Sequence, residues 1–151
     1  MPEDLREILQ VFSNAISITC AGDYSAQQLE AWASGSAYTD RWIAKMRSQY
    51  FVLAIVANQV AGFASLENDH HVDFLFVEPG HQHQGIATAL LHQLEEESRR
   101  RRQTRMTTNA SITARPFFEQ RGFTVLEQQQ VTIGSVQLTN FRMEKRLTQM
   151  G

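Results

Sequence analysis

The residues of this chain best suited to chemistry lie in one run, positions 72–94. At its centre the turn Gln82-His83-Gln84-Gly85-Ile86-Ala87 separates two segments of different period. Before it, Val72-Asp73-Phe74-Leu75-Phe76-Val77 is short, apolar and β-prone. After it, Ile86, Leu90, Leu91 and Leu94 recur at helical spacing. A strand, a polar turn and an amphipathic helix in that order aim free backbone N–H groups at one point, at the positive end of the helix dipole. Such a junction binds anions, phosphate groups above all, and Gly85 lets a diphosphate come close to the backbone. One Gly and no Lys exclude both the dinucleotide fingerprint and the P-loop. Within the strand, Asp73 is a carboxylate among apolar neighbours, which is costly unless it is paired or functional. The period of two groups its side chain with His71, Leu75 and Val77. A structural hydrogen bond or an exposed strand end is the alternative to a chemical role.

The surrounding pattern must hold that run in place, and it reads as α/β. Leu5, Ile8, Leu9, Phe12 and Ile16 predict a helix over residues 3–17. Ser25 and Gln28 form a capping-box pair that opens a second helix carrying Leu29, Trp32 and Ala33. A third is expected over about 39–46, capped by Thr39 or Asp40. Trp32, Tyr38 and Trp42 either pack in the core or line a pocket. Residues 50–57 and 60–66 read as strands joined at Asn58-Gln59, and Asn68-Asp69-His70 turns into the central strand, giving a three-stranded meander. The helix after Gly85 extends to about Arg102, with Glu95, Glu96 and Glu97 four residues before Arg99, Arg100 and Arg101. Residues 106–109 should run parallel to 72–77 across a right-handed crossover. Ser111 or Thr113 is expected to cap a helix containing Pro116 and ended by Gly122. Residues 124–132 and 136–145 are the last strands, with a bulge where the apolar parity changes between Leu138 and Phe141.

The 151 residues, 42% hydrophobic and 20% charged, are expected to form a single globular domain over 1–151. A net charge of −2 argues against general affinity for nucleic acid or membranes. The Arg99–Arg102 run suits the dipole at a solvated helix end, and no second basic cluster with aromatics supports a nucleic-acid partner. Cys20 is the one cysteine, which excludes an intramolecular disulfide and a cysteine-based metal site. His70-His71 and His81-x-His83 lack metal-ligand spacing, so no metal is expected. No apolar run approaches the ~18 residues of a membrane span and no signal-peptide pattern opens the chain, so a cytoplasmic protein is the default expectation.

Two stretches carry a family resemblance. Leu75-Phe76-Val77-Glu78-Pro79 followed by Gln82-x-x-Gly85-x-Ala87 resembles the acetyl-coenzyme A motif Q/R-x-x-G-x-G/A of the GNAT superfamily of N-acyltransferases. Ala114-Arg115-Pro116-Phe117-Phe118-Glu119-Gln120-Arg121-Gly122-Phe123, next in the expected order, is similar to the second signature, A-x-x-F-Y-E-x-x-G-F. The resemblance spans residues 24–146, and the wording of residues 24–32 and 110–114 looks like a bacterial subgroup of uncharacterised N-acetyltransferases.

This resemblance implies the GNAT fold: a mixed, mostly antiparallel twisted sheet flanked by helices, with a parallel strand pair splayed by the cosubstrate. It implies acetylation of a primary amine of a small molecule or protein by direct attack on acetyl-coenzyme A in a ternary complex, and it makes a homodimer reasonable. The diphosphate is expected at Gln82, His83, Gln84, Gly85, Ile86, Ala87 and Thr88. The pantetheine arm should pair with the backbone of Leu75, Phe76 and Val77, with Asn109, Ser111, Phe117 and Phe118 on its other side. Asp73 is the candidate base, directly or through a water, and His71 the second.

The sequence departs from the family pattern in three places. The usual first strand has no counterpart before the first helix, so that either the sheet lacks that edge strand or the chain's start differs from the usual one; Ser111 replaces an Asn, and Phe118 replaces the Tyr commonly proposed to protonate the departing thiolate. Tyr24, Tyr38 and Tyr50 are substitutes between which spacing does not choose. An alkyl thiol near its pKa of about 8.5 is a tolerable leaving group without that Tyr. A catalytically idle acyl-coenzyme A-binding or sensing domain is the alternative. The acceptor should be set by the first two helices and the last hairpin, which carry no motif.

Overall fold

The computed structural model describes residues 2–148, which form one six-stranded sheet with helices packed on both faces. β1 (Tyr50–Val56), β2 (Gln59–Glu67) and β3 (His71–Val77) make the expected antiparallel meander. Each turn carries two consecutive residues at positive φ: Ala57 at 51° and Asn58 at 64° in a two-residue loop, then Asn68 at 52° and Asp69 at 68° in a three-residue loop completed by His70, because Glu67 pairs with His71. The first turn is therefore Ala57-Asn58, one residue earlier than expected, because Gln59 already pairs with Val56. A helical crossover carries the chain to β4 (Arg105–Ser111), parallel to β3. β5 (Thr124–Ile133) and β6 (Val136–Arg146) then form a hairpin whose second strand inserts beside β4, giving the order β1-β2-β3-β4-β6-β5. The fold class is as expected: mostly antiparallel, with one parallel pair.

The bulge falls elsewhere than expected. Register between β5 and β6 is continuous around Leu138 and Phe141 and breaks between Val125 and Glu127, on the other strand. The parity change in β6 arises because both of its faces are buried. Leu138 packs with Cys20 and Tyr24, whereas Phe141 and Met143 pack in the cluster beneath the crossover helix.

α1 (Leu5–Asn14) continues into a wider π-helical turn, Ala15–Thr19, marked by a bond from Cys20 N–H to Ala15 O at 3.3 Å. α2 (Ala26–Ala33) opens with the expected capping box: Ser25 Oγ accepts from Gln28 N–H at 3.1 Å, and Gln28 Oε1 accepts from Ser25 N–H at 2.8 Å. α3 (Thr39–Ser48) starts at Tyr38 with no side-chain cap, so neither Thr39 nor Asp40 has the expected role. The crossover helix α4 (Ile86–Arg100) carries the predicted charge ladder in altered form. Glu97 binds both Arg100 and Arg101, at 2.7 and 2.9 Å, but Glu95 is held by Lys145 of β6 at 2.7 Å. α5 (Arg115–Gln120) ends before Gly122, whose φ of +94° suits a residue without Cβ.

On one face, α1 and α3 bring Ile8, Phe12, Trp42 and Met46 onto Phe63, Phe74 and Phe76. Trp42 stacks on Phe74 with centroids 4.5 Å apart, and Phe12 meets Trp42 edge-on at 4.9 Å. On the other face, α4 and α5 bury Leu90, Leu91, Leu94 and Phe118 against Leu66, Val72, Val77, Met106 and Met143. Each large apolar side chain so buried contributes about 1.5–3 kcal/mol. Gly62 lets α4 lie close to the sheet: a Cβ there would sit 3.2 Å from Ile86 Cγ2, 3.2 Å from Leu90 Cδ1 and 3.0 Å from Phe76 O.

Tyr24 ties the segment before α2 to the far half of the sheet. Its hydroxyl donates to Thr139 O at 2.6 Å and accepts from Ile112 N–H at 2.9 Å, while its ring meets Trp32 edge-on. Burial raises its pKa, against the opposing effect of the Ile112 bond. Tyr24→Phe is expected to cost about 1–3 kcal/mol, since it strands both backbone groups. A melting temperature several degrees lower, with unchanged far-ultraviolet dichroism, would bear this out; an unchanged melting temperature would refute the tie.

Candidate active site

The site begins with a break in strand register. Phe74 pairs with Ser65 and Val72 with Leu66, so Asp73 is an extra residue bulged out of β3. The bulge shifts the period of two. Val72 faces the α4 side together with Leu75 and Val77, and His71 lies on the opposite side. The expected grouping of Asp73 with His71, Leu75 and Val77 on one face is therefore wrong. Parallel pairing stops at the same place: β3 meets β4 at His71–Thr107 and Val72–Thr108, and beyond these the strands diverge.

The opening is a cleft of about 200 Å³. Leu75, Phe76 and Val77 line one wall, Thr108, Asn109, Ala110 and Ser111 the other, with Phe117 and Phe118 at the side of α5. Of the expected residues, Asp73, Gln82 and Ala87 also line it. His71, His83, Gln84, Gly85, Ile86 and Thr88 do not. Phe118, at 3% exposure, is also part of the core, edge-on to Phe117 and Phe123. Ser111 Oγ accepts from Ala114 N–H at 3.0 Å, so it caps the turn leading into α5 rather than the helix itself; Thr113 instead donates to Asp23. Asn109 Oδ1 accepts from Gln129 Nε2 at 3.2 Å.

Beside the cleft stands the N-terminus of α4. Gly85 precedes it with φ +79°, and a Cβ on Gly85 would meet nothing within 4 Å. Its carbonyl takes the first helical bond, from Ala89 N–H at 3.0 Å, which leaves the N–H groups of Gly85 to Thr88 without intrahelical partners. Gln82 Nε2 donates to Val77 O at 3.0 Å and fastens the turn to the end of β3. Sequence reasoning missed a cation here. Arg121 donates to Thr88 Oγ1 and to Phe117 O, with its guanidinium 3.9 Å from the Phe117 ring centroid. It occupies a variable position of the second signature, so no motif pointed to it.

Asp73 lines the cleft from the bulge, but not as a free carboxylate. Its Oδ2 accepts from Lys45 Nζ of α3 at 2.9 Å and from Nε2 of Gln49, the residue that follows α3, at 2.8 Å. His71 is half-buried, with Nδ1 2.8 Å from Thr107 Oγ1. Burial lowers its pKa, opposed by the charges of Asp73 and Glu67. None of the three tyrosines proposed as substitute acids lines the cleft: Tyr24 is committed to Thr139 and Ile112, and Tyr38 and Tyr50 are exposed.

The remaining lining was not anticipated as site residues: Ala15 and Thr19 from the π-helical turn, Cys20 directly after it, Trp32 from α2, Val72 from the start of β3, and Thr113 and Ala114 before α5. Trp32 was one of the aromatics read as core or pocket, and it serves as both. The other signal was the loss of apolar period after Ile16. Burial raises the Cys20 pKa and keeps the thiol protonated.

A β3–β4 pair opened at a bulge thus sets a cleft with strand-edge backbone groups beside the N-terminus of the helix between them, an arrangement suited to an anionic ligand. Residues 20–147 match the family model described as the acetyltransferase (GNAT) domain, and the chain belongs to that family. It is 37% identical over 142 residues to the uncharacterised N-acetyltransferase YafP of Escherichia coli strain K12, covering 94% of this chain and 89% of that one. A crystal structure of a GCN5-related N-acetyltransferase from Rhodopseudomonas palustris superposes with a TM-score of 0.95 at 33% identity, covering 97% of this chain and 92% of the other. The PaiA N-acetyltransferase of Thermoplasma acidophilum, solved with coenzyme A, shares the fold with a TM-score of 0.78 at 22% identity, covering 96% and 94%.

The depressed His71 pKa has a thermodynamic consequence. Between the ordinary histidine value and the lower folded value the unfolded chain binds the extra proton, so stability rises with pH across that window and is lost as pH falls through it. Urea unfolding between about pH 5 and pH 7 should show this slope, and His71→Asn should flatten it. A slope unchanged in His71→Asn would assign it to another group.

Proposed function

We propose that the chain transfers the acetyl group of acetyl-coenzyme A to a primary amine of a small molecule or protein, by direct attack in a ternary complex. The observation that carries this reading is that the β3–β4 opening reaches the turn before α4, whose Gln82 and Ala87 line the cleft, so that strand-edge backbone groups and a helix N-terminus stand side by side.

The residues present fit the cosubstrate. The N–H groups of His83 to Thr88 suit a diphosphate, with the α4 dipole supplying positive potential and Arg121 adding a cation beside Thr88. The free edge of Leu75, Phe76 and Val77 suits the amides of a pantetheine arm, and Asn109, Ser111, Phe117 and Phe118 face it across the cleft. Acetyl-coenzyme A supplies the activated acetyl thioester. Asp73 takes a proton from the acceptor ammonium, and Lys45 and Gln49 hold its carboxylate in one orientation. A β3 N–H beside the bulge stabilises negative charge on the acyl oxygen. Phe118 closes the wall where a general acid would stand and keeps water from the thioester. His71, turned away from the cleft, serves the strand rather than the reaction.

The lack of a lining tyrosine favours one second reading, an acyl-coenzyme A-binding domain without turnover. Calorimetric titration with coenzyme A and with acetyl-coenzyme A, on wild type and Gly85→Glu, tests the shared part. Binding in the micromolar range by wild type and none by the variant is expected, since Glu places charge and a side chain on the diphosphate path at a backbone angle costing about 1 kcal/mol. No binding by folded wild type would end both readings. A primary-amine screen read by thiol release then separates them, and Asp73→Asn should lower kcat/KM on the responding amine by roughly 10²-fold or more. Binding without turnover on any amine would leave the sensor.

A further inference from the structure

Lysine is nearly absent from this chain. Lys45 and Lys145 are its two lysines, and arginine carries the rest of its positive charge. Lys145 lies against Glu95, on β6 and α4. Neither lysine lines the cleft, but Lys45 is bound to a residue that does, Asp73. Its Nζ stands 2.9 Å from Asp73 Oδ2 and 4.9 Å from the centroid of the Phe74 ring, on a side chain that keeps 37% exposure. Gln49 shares the same carboxylate oxygen, and its own Oε1 is buried without a hydrogen-bond partner. A primary amine thus already rests on the bulged carboxylate that lines the cleft, next to a polar network one partner short. A guanidinium could hold the same ion pair, but its permanent charge makes it no nucleophile.

We propose that Lys45 is an internal acceptor, so that the protein acetylates its own Lys45 Nζ. The proposal rests on acetyl-coenzyme A being the donor, as inferred above. Lys45 gives one ammonium proton to Asp73, and its freed nitrogen pair attacks the thioester carbonyl carbon. The N–C bond forms and the C–S bond breaks. The departing sulfur takes the second nitrogen proton, and Asp73 returns the first to solvent. The balance is one acetyl-lysine, one free thiol and one proton for one thioester and one ammonium. Acetylation removes the positive charge facing Asp73 and leaves that half-buried carboxylate with Gln49 alone.

With two lysines the test reads cleanly. The full chain is incubated with isotopically labelled acetyl-coenzyme A, and acetylation at Lys45 and Lys145 is followed by peptide mass spectrometry. Lys45 should label on the order of tenfold or more faster than Lys145, because its nitrogen is held on a carboxylate that lines the cleft. Its first-order rate should not depend on protein concentration, and excess coenzyme A should suppress it. The labelled fraction should also melt at a lower temperature than the unlabelled. Equal labelling of the two lysines, a rate that rises with protein concentration, or labelling indifferent to coenzyme A would each overturn the proposal. Titration of the same sample separates the two levels of inference. Acetyl-coenzyme A binding with Lys45 unmodified overturns internal acetylation alone, whereas no binding removes the donor itself.

Discussion

Backbone hydrogen bonding in the middle of this sheet is left incomplete, and much else follows from that. β3 and β4 are neighbours in the strand order, yet they are paired at His71–Thr107 and Val72–Thr108 and then part. An N–H or C=O turned away from both water and protein is expensive, so such an edge is stable only if it faces a space that something polar can enter. The cause is the extra residue at Asp73. It rotates the rest of β3 out of register with its own beginning while Val72, Leu75 and Val77 all stay in the α4 core. The bulge is held from the other face by the Trp42–Phe74 stack and by Lys45 and Gln49, so α3 acts as its brace.

The charge distribution follows the same economy. The turn before α4 contains no lysine or arginine, so its attraction for anions comes from oriented peptide groups, supplemented by Arg121 from the end of α5. Those peptide groups are useful only at the right height above the sheet. That height depends on Gly62, where a Cβ on β2 would crowd Ile86 and Leu90 and force them to give way.

The sequence shows some of this and hides the rest for identifiable reasons. Strand, turn and helix around Gly85 were legible because each is encoded within a few residues: a short apolar run, a glycine, a period of 3.6. The capping box at Ser25 and Gln28 was legible for the same reason. The Asp73 bulge was not, since it depends on how Ser65 and Leu66 of β2 choose their partners. The parity change in β6 was visible but misread, because a strand buried on both faces imitates a bulge. Cys20 and Thr19 could be assigned to the cleft only once the helix had widened after Asn14. Arg121 and Lys45 reach their partners across long sequence distances that no local pattern records.

The parting of β3 and β4 also divides the sheet mechanically. β1, β2 and β3 form one antiparallel leaf and β4, β6 and β5 another, and at their shared end the leaves are joined by two register positions, a bond from Thr107 N–H to His70 O at 3.0 Å, the His71–Thr107 side-chain contact and a bond from Thr108 Oγ1 to Val72 O at 3.1 Å. Fewer pairings join the two leaves to each other than join the strands within either leaf, and side chains of both leaves pack in one core beneath α4. A molecule lying in the opening and bonded to both would act as a crosslink, stiffening the protein as a whole and lowering the entropic cost of whatever binds next. Order of binding would then be a mechanical property of the sheet, with the first ligand making the second site rigid.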